Sequence, residues 1–178
     1  MKAPAKTLAM HVLDGQHVPY TVIEFPSTIH DALGVAEHAG LSADVVYKTL
    51  VVQVIDPATQ APLRSHKPLL ILVAANRSLD PKKVAAVLGV KRVGMARQVD
   101  AERMTGLKVG GISALSLLHR GFEIFVDEPA MLLDEFVVSA GQRGLNLRLR
   151  VGDLLAATGA EWMDASREMP ASRPDGPT

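Results

Sequence analysis

Leu69-Leu70-Ile71-Leu72-Val73-Ala74-Ala75 is the stretch that most restricts how this chain can fold, because seven consecutive apolar residues leave no side for water. The run is too short to cross a membrane and has the length of a strand, so it predicts a central strand covered on both faces. Such a strand needs a sheet beside it and other elements over the sheet. The rest of the chain supplies both. Val18–Phe25, Val45–Ile55, Phe122–Asp127, Phe136–Ser139 and Leu145–Arg150 are rich in β-branched or alternating apolar residues and read as strands, the last two as a pair with one wet face. Ala5–Leu13, with Leu8, Val12 and Leu13 as its apolar stripe, Asp31–Ala39, Lys82–Leu88, Gln98–Thr105 and Val151–Thr158 read as short helices. The expected class is therefore mixed α/β.

At 178 residues without cysteine, the chain suits one domain, 1–165, that buries its own core of Val, Leu, Ala and Ile. Asp56–Pro68, with three prolines, predicts an exposed loop, and the proline-rich, charged segment 166–178 predicts a disordered tail. Ser113–His119 carries no clear signal. Nineteen basic side chains balance nineteen acidic ones, so a nucleic-acid partner would be gripped locally and not by a global positive field. Lys82, Lys83, Lys91 and Arg92 form the densest basic cluster; it reads equally as a solvated helix face or as a contact for a phosphate backbone. His30 and His38 read as solvent-facing. No apolar run reaches membrane-spanning length, which makes the cytoplasm the expected compartment, with no membrane partner.

The chemistry of the chain starts at Val45-Val46-Tyr47-Lys48-Thr49-Leu50-Val51-Val52, where one lysine stands inside an apolar strand. Alternation puts Lys48 on the side of Val46 and Leu50, with Tyr47, Thr49 and Val51 opposite. Such an ammonium either snorkels to water at a strand mouth or faces a site that rewards a positive charge, an anion or a polarised carbonyl. Two glycine-bearing stretches follow, Val109-Gly110-Gly111-Ile112-Ser113 and Val138-Ser139-Ala140-Gly141-Gln142-Arg143-Gly144-Leu145. Between strand-like segments, glycines let backbone N–H groups come close to a ligand. Missing are a Gly-x-Ser-x-Gly elbow, a His-Glu-x-x-His zinc motif, a phosphate-binding Walker loop and a dinucleotide fingerprint, which argues against the common hydrolases and nucleotide enzymes. Ser113 and Ser139 are hydroxyl candidates without a histidine nearby in sequence.

Tyr47-Lys48-Thr49-Leu50, Gly110-Gly111-Ile112-Ser113 and Ser139-Ala140-Gly141-Gln142-Arg143-Gly144-Leu145, in this order and spacing, make the chain resemble the YbaK-type aminoacyl-tRNA deacylases. These are free-standing relatives of the editing insertion domain of bacterial prolyl-tRNA synthetase. The resemblance spans about residues 5–165 and implies a mixed, barrel-like sheet wrapped by short helices. It also implies trans-editing, the release of a mischarged amino acid such as Cys from the 3′ end of a tRNA, tRNA-Pro foremost, with prolyl-tRNA synthetase as a further partner and no cofactor or metal. Lys48 and Gly111 become the implied catalytic positions. Tyr47, Thr49, Gly110, Ile112, Ser113, Ser139, Gly141, Phe25 and Asp31 become implied substrate contacts.

The sequence departs from the family twice. Ala114 stands where the family's Gly-Gly-Ile-Ser is followed by proline, and Pro26-Ser27-Thr28-Ile29-His30-Asp31 differs from the His-Asp-Pro loop of the cysteine-specific members. A non-catalytic module holding a tRNA end or a synthetase, and a small-molecule esterase, are the competing readings.

Overall fold

The computed structural model describes residues 4–170. Strand β3, Leu69–Ala74, is buried at every residue and lies in the middle of a five-stranded sheet, as its apolar run requires. Its antiparallel neighbour is β2, Tyr47–Val54, which pairs in turn with β5, Val93–Met95. On its other side the order continues in parallel through β6, Glu123–Asp127, and β9, Glu161–Met163. Leu70, Leu72 and Ala74 face one core with Tyr47 and Val51, while Leu69, Ile71 and Val73 face a second with Val52 and Val54. The alternation read from the sequence thus becomes two separate hydrophobic layers.

A second sheet places β8, Leu145–Arg150, between β1, Thr21–Glu24, and β7, Glu135–Gln142, all antiparallel. A third is the antiparallel pair of β4, Arg77–Leu79, and β10, Ser166–Glu168. Among the described residues the sheets stay open, and the barrel-like closure expected from the family is not formed. Val46, just ahead of β2, makes an isolated bridge with Val137 of β7, and β5 covers only Val52–Val54 of β2. The edge of β2 between those contacts is left splayed.

Five helices cover the sheets: α1, Leu8–Gly15; α2, Ala32–Ala39; α3, Pro81–Leu88; α4, Gln98–Thr105; and α5, Val151–Thr158. Asp31 and Asp80 cap α2 and α3 by accepting from backbone N–H groups of the first turn. On α1 the buried stripe is Ala9, Met10 and Leu13, and Leu8 is 60% exposed, so the stripe expected through Leu8 is rotated by one position. Residues 114–117, unassigned from sequence, form a 3-10 helix, and its first position is Ala114. A first helical position is one that a proline also suits, so alanine here is compatible with the 3-10 turn.

Four short strands, β4, β5, β9 and β10, carry too few residues for a periodic signal. The last of them corrects the expected tail. Ser166–Glu168 is a strand because its backbone pairs with β4 and Ser166 is 1% exposed; residues 171–178 of that segment lie outside the described residues. No helix among the described residues is long and apolar enough to cross a membrane.

Candidate functional site

Lys48 lies on β2 opposite Val73, and its side chain leaves the apolar layer to reach the turn that joins β3 to β4. There the ammonium donates to the carbonyl oxygen of Arg77 at 2.7 Å and makes a longer contact of 3.5 Å with that of Ala75. It is half-buried. Burial lowers the lysine below its ordinary value of 10.5, and the carboxylate of Asp31 partly opposes that shift. Lys48 lines a cavity of about 410 Å³.

The cavity exists because of the splayed edge. Ala75 N–H donates to Val46 C=O, and Ala96 N–H donates to Val51 C=O, so even-numbered residues of β2 bond to β3 and odd-numbered ones turn outward. Past Val51 the outward edge has no β5 strand to meet, and Thr49 presents its N–H and C=O toward the cavity wall. Tyr47 and Thr49 line the same wall, and their hydroxyls are buried without a partner. Burial, followed by the charge of Asp127, pushes the Tyr47 phenol up, so it remains a neutral donor. Its ring packs on Phe136 with centroids 5.2 Å apart.

The opposite wall is the loop between α4 and the 3-10 helix. Sequence placed its glycines between strand-like segments; the structure makes Val109-Gly110 a turn, held on both sides. Val109 N–H donates to Glu102 Oε1 at 3.1 Å, and Val109 C=O accepts from Arg143 Nε at 2.7 Å. That N–H bond is the main cause holding Glu102 below the ordinary carboxylate value of 4.5. Gly110 has φ of 89°, and a Cβ there would stand 2.7 Å from the His30 carbonyl oxygen. A Cβ on Gly111 would stand 2.8 Å from Arg143 N. Both glycines are therefore required by neighbouring backbone.

Of the residues implied as a site, Tyr47, Lys48, Thr49, Asp31, Gly110, Ile112 and Ser139 line this cavity together. Gly111, Ser113 and Gly141 sit behind its wall, Ser113 with a buried, unpartnered hydroxyl and Gly141 at a bulge between β7 and β8 where its N–H donates to Ser139 Oγ. Phe25 does not reach the cavity. It packs with Val35, Ala36, Val46 and Val137 under α2, because its strand feeds the second sheet from the far side. His30 also lines the cavity, beside its carbonyl contact with Gly110. Neither Ser113 nor Ser139 bonds to a histidine, and no hydroxyl here is activated as a nucleophile.

Sequence reasoning missed Met169, Asn146, Met95 and Gln98, which also line the cavity. Asn146 had no signal, since it alternates with Leu145 and Leu147 as a wet-face residue should, and only the fold shows it to be 6% exposed and turned to the cavity. Met169 had none, since it arrives through β10. The basic cluster is partly accounted for by the fold, because Lys83 Nζ is bound to Asp164 and to the Ser166 carbonyl oxygen, each at 2.9 Å.

This geometry has counterparts. The chain is 32% identical over 165 residues to the protein named "Putative Cys-tRNA(Pro)/Cys-tRNA(Cys) deacylase EbsC" of Enterococcus faecalis (strain ATCC 700802 / V583), covering 92% of this chain and 94% of that one. Its fold is shared with the crystal structure of hypothetical protein APE2540, at a TM-score of 0.78 and 19% identity over 90% of this chain and 99% of that chain. It is shared also with "a putative trans-editing enzyme for prolyl tRNA synthetase", at 0.72 and 21% identity over 92% and 99%. Residues 27–157 match the aminoacyl-tRNA editing domain, and they contain β2, the glycine loop and the β7–β8 turn that build the cavity, so the chain belongs to the aminoacyl-tRNA editing domain family.

Proposed function

We propose that this protein is a trans-editing deacylase that hydrolyses the ester joining a small, mischarged amino acid to the 3′ end of a tRNA, with tRNA-Pro as the first candidate. The observation that carries the reading is the Lys48 ammonium, held on the Arg77 carbonyl at 2.7 Å inside a cavity with mostly apolar walls. A volume of about 410 Å³ falls within the roughly 300–1,000 Å³ of ligand pockets. It suits a terminal nucleoside carrying a small acyl group.

In this role Lys48 stabilises the negative charge that gathers on the ester carbonyl oxygen as the tetrahedral intermediate forms. The Gly110 side of the loop supplies the facing wall, and Tyr47 and Thr49 offer their free hydroxyls to the polar groups of the aminoacyl end. None of the hydroxyls that line the cavity is paired with a base, so the attacking group is water, which gives the free amino acid, or a thiol carried by the aminoacyl group itself, which closes a cyclic thioester; in both cases the tRNA hydroxyl leaves. A tRNA body would dock against the cavity mouth, and prolyl-tRNA synthetase is the proposed source of the mischarged substrate. The cytoplasm is the compartment where both are found.

The test is release of labelled amino acid from tRNA-Pro charged in turn with Cys, Ala, Ser and Thr. Release of at least one, lost in Lys48→Met, supports the reading. Binding of the charged tRNA without release of any would make the protein a holder of tRNA ends, and equal release from a short aminoacyl ester lacking the tRNA would make it a general esterase.

A further inference from the structure

We propose that Asp127, Ser166 and Arg77 form a buried positioning device that sets the reach of Lys48, making β10 a working part of the site although it lies beyond the residues matched to the editing domain. The inference rests on the role given to Lys48 above. Asp127 ends β6 and is fully buried, and no basic side chain on its own strand balances it, the other ionisable residue there being the exposed Glu123. One carboxylate oxygen accepts from Ala165 N–H at 2.9 Å, and the other accepts from the Ser166 hydroxyl. Ser166 Oγ in turn accepts from Arg77 Nε at 2.6 Å, which lies 3.9 Å from the Asp127 carboxylate.

A buried ion pair of this kind contributes little net stability, because desolvation offsets its attraction, and well-packed apolar residues would do as well. What it does fix is geometry. Asp80 N–H donates to Ala165 C=O at 2.8 Å, so in the antiparallel β4–β10 register Ser78 and Asp80 bond to β10 while Arg77 turns its own carbonyl to the opposite edge. That carbonyl is the one Lys48 grips at 2.7 Å. The side chain of Arg77 is pinned from one edge, and its backbone presents the acceptor at the other. Lys83, bound to the Ser166 carbonyl oxygen, holds β10 from a third direction. Met169, directly after β10, lines the cavity itself.

When this device is loosened, the Arg77 carbonyl drifts and the ammonium loses its best acceptor. What remains near it is the longer contact to the Ala75 carbonyl at 3.5 Å, with the charge of Asp31 ahead of α2, and among the described residues no other side chain bonds to the ammonium. An ammonium with one acceptor fewer in a half-buried place loses its proton more easily and points less accurately.

The experiment follows the Lys48 side chain by ¹³Cε nuclear magnetic resonance through an alkaline titration, in the full chain, for the wild type, Ser166→Ala and Arg77→Met. The same proteins are assayed on whichever charged tRNA the wild type deacylates, and Ser166→Ala is also placed in the Lys48→Met background. We expect the Lys48 midpoint to move down in Ser166→Ala, which changes no charge; Arg77→Met also removes a neighbouring positive charge, which by itself moves the midpoint up, so that variant is read by turnover. Turnover should fall about tenfold in Ser166→Ala with KM within about twofold, the size expected from one lost charge-oriented hydrogen bond, and Ser166→Ala should cost nothing further once Lys48 is gone. A midpoint unmoved or raised in Ser166→Ala, or the same loss with and without Lys48, would overturn the proposal. The titration needs no substrate, so it decides this inference even if no charged tRNA is released; release with an unmoved midpoint would leave the deacylase reading standing and remove this one.

Discussion

Lys48 works against its own strand. Its folded value lies below the unfolded 10.5, so the charged form is disfavoured by the fold and the residue subtracts from stability at any pH below the folded value. That penalty fades as pH rises through the folded value toward 10.5. Lys48→Met, which keeps the length and removes the charge, should therefore raise Tm at pH 7 by about 2 °C or more, with the gain shrinking at pH 10 when followed by calorimetry. The same substitution should reduce turnover on the order of a hundredfold, the usual cost of one charge-stabilising donor. A neutral or lowered Tm with full activity would return Lys48 to the standing of an ordinary strand residue. Gly110→Ala tests the facing wall: with φ of 89° and the His30 carbonyl 2.7 Å from the new Cβ, it should cost on the order of 1–3 kcal/mol by urea unfolding. At this scale the sequence was informative about chemistry and poor about neighbours. A lysine in an apolar run announces a site, whereas nothing in Phe25 says that its ring points into the layer under α2.

At the scale of elements, the glycine loop behaves as a clamped arch, with Glu102 on α4 taking the Val109 N–H and Arg143 on the β7–β8 turn taking its C=O. The Glu102 carboxylate is held below 4.5, so its bond is fully present above that value and is lost as pH falls through the lower folded value. The Val109 amide resonance should accordingly titrate with a midpoint below 4.5 and become insensitive to acid in Glu102→Gln. Arg143→Met should lower turnover about tenfold and Tm by about 2–4 °C, because the carbonyl loses a charged donor and the arch loses its second support. Unchanged turnover would show that the arch keeps its shape through Glu102 alone. Long elements were legible for a physical reason: β3, β8 and α3 each hold enough residues for a period or a cap to repeat. The strands of three residues are set by pairing across the chain, as Arg77–Leu79 is by Ser166–Glu168, and pairing leaves no local pattern.

For the whole molecule, the open arrangement of three sheets leaves the splayed edge of β2 exposed to a ligand, and a closed barrel would have filled it with a strand. The mixed α/β class and the family could be read from three motifs in order, while the open sheets and the strands after α5 depend on contacts between distant parts. A chain ending at Ala165 should have a Tm lower by more than about 4 °C than one ending at Pro170, and much lower turnover, since it lacks β10 and Met169. Equal behaviour of the two would show that β10 only decorates β4. The distance along the chain between the two sides of this pairing also sets an order of events. Arg77 and Ser166 are 89 residues apart, and β3 with β6 and β6 with β9 are parallel pairs that close large loops, whereas β2 and β3 meet as near neighbours. Loops of that length close late and slowly during refolding. Trp162 on β9, the one tryptophan of the chain, stands next to the segment that closes last. Its fluorescence should reach the native value in the slowest kinetic phase, and deacylation should return in that same phase, after the hydrophobic layers around β3 have already collapsed.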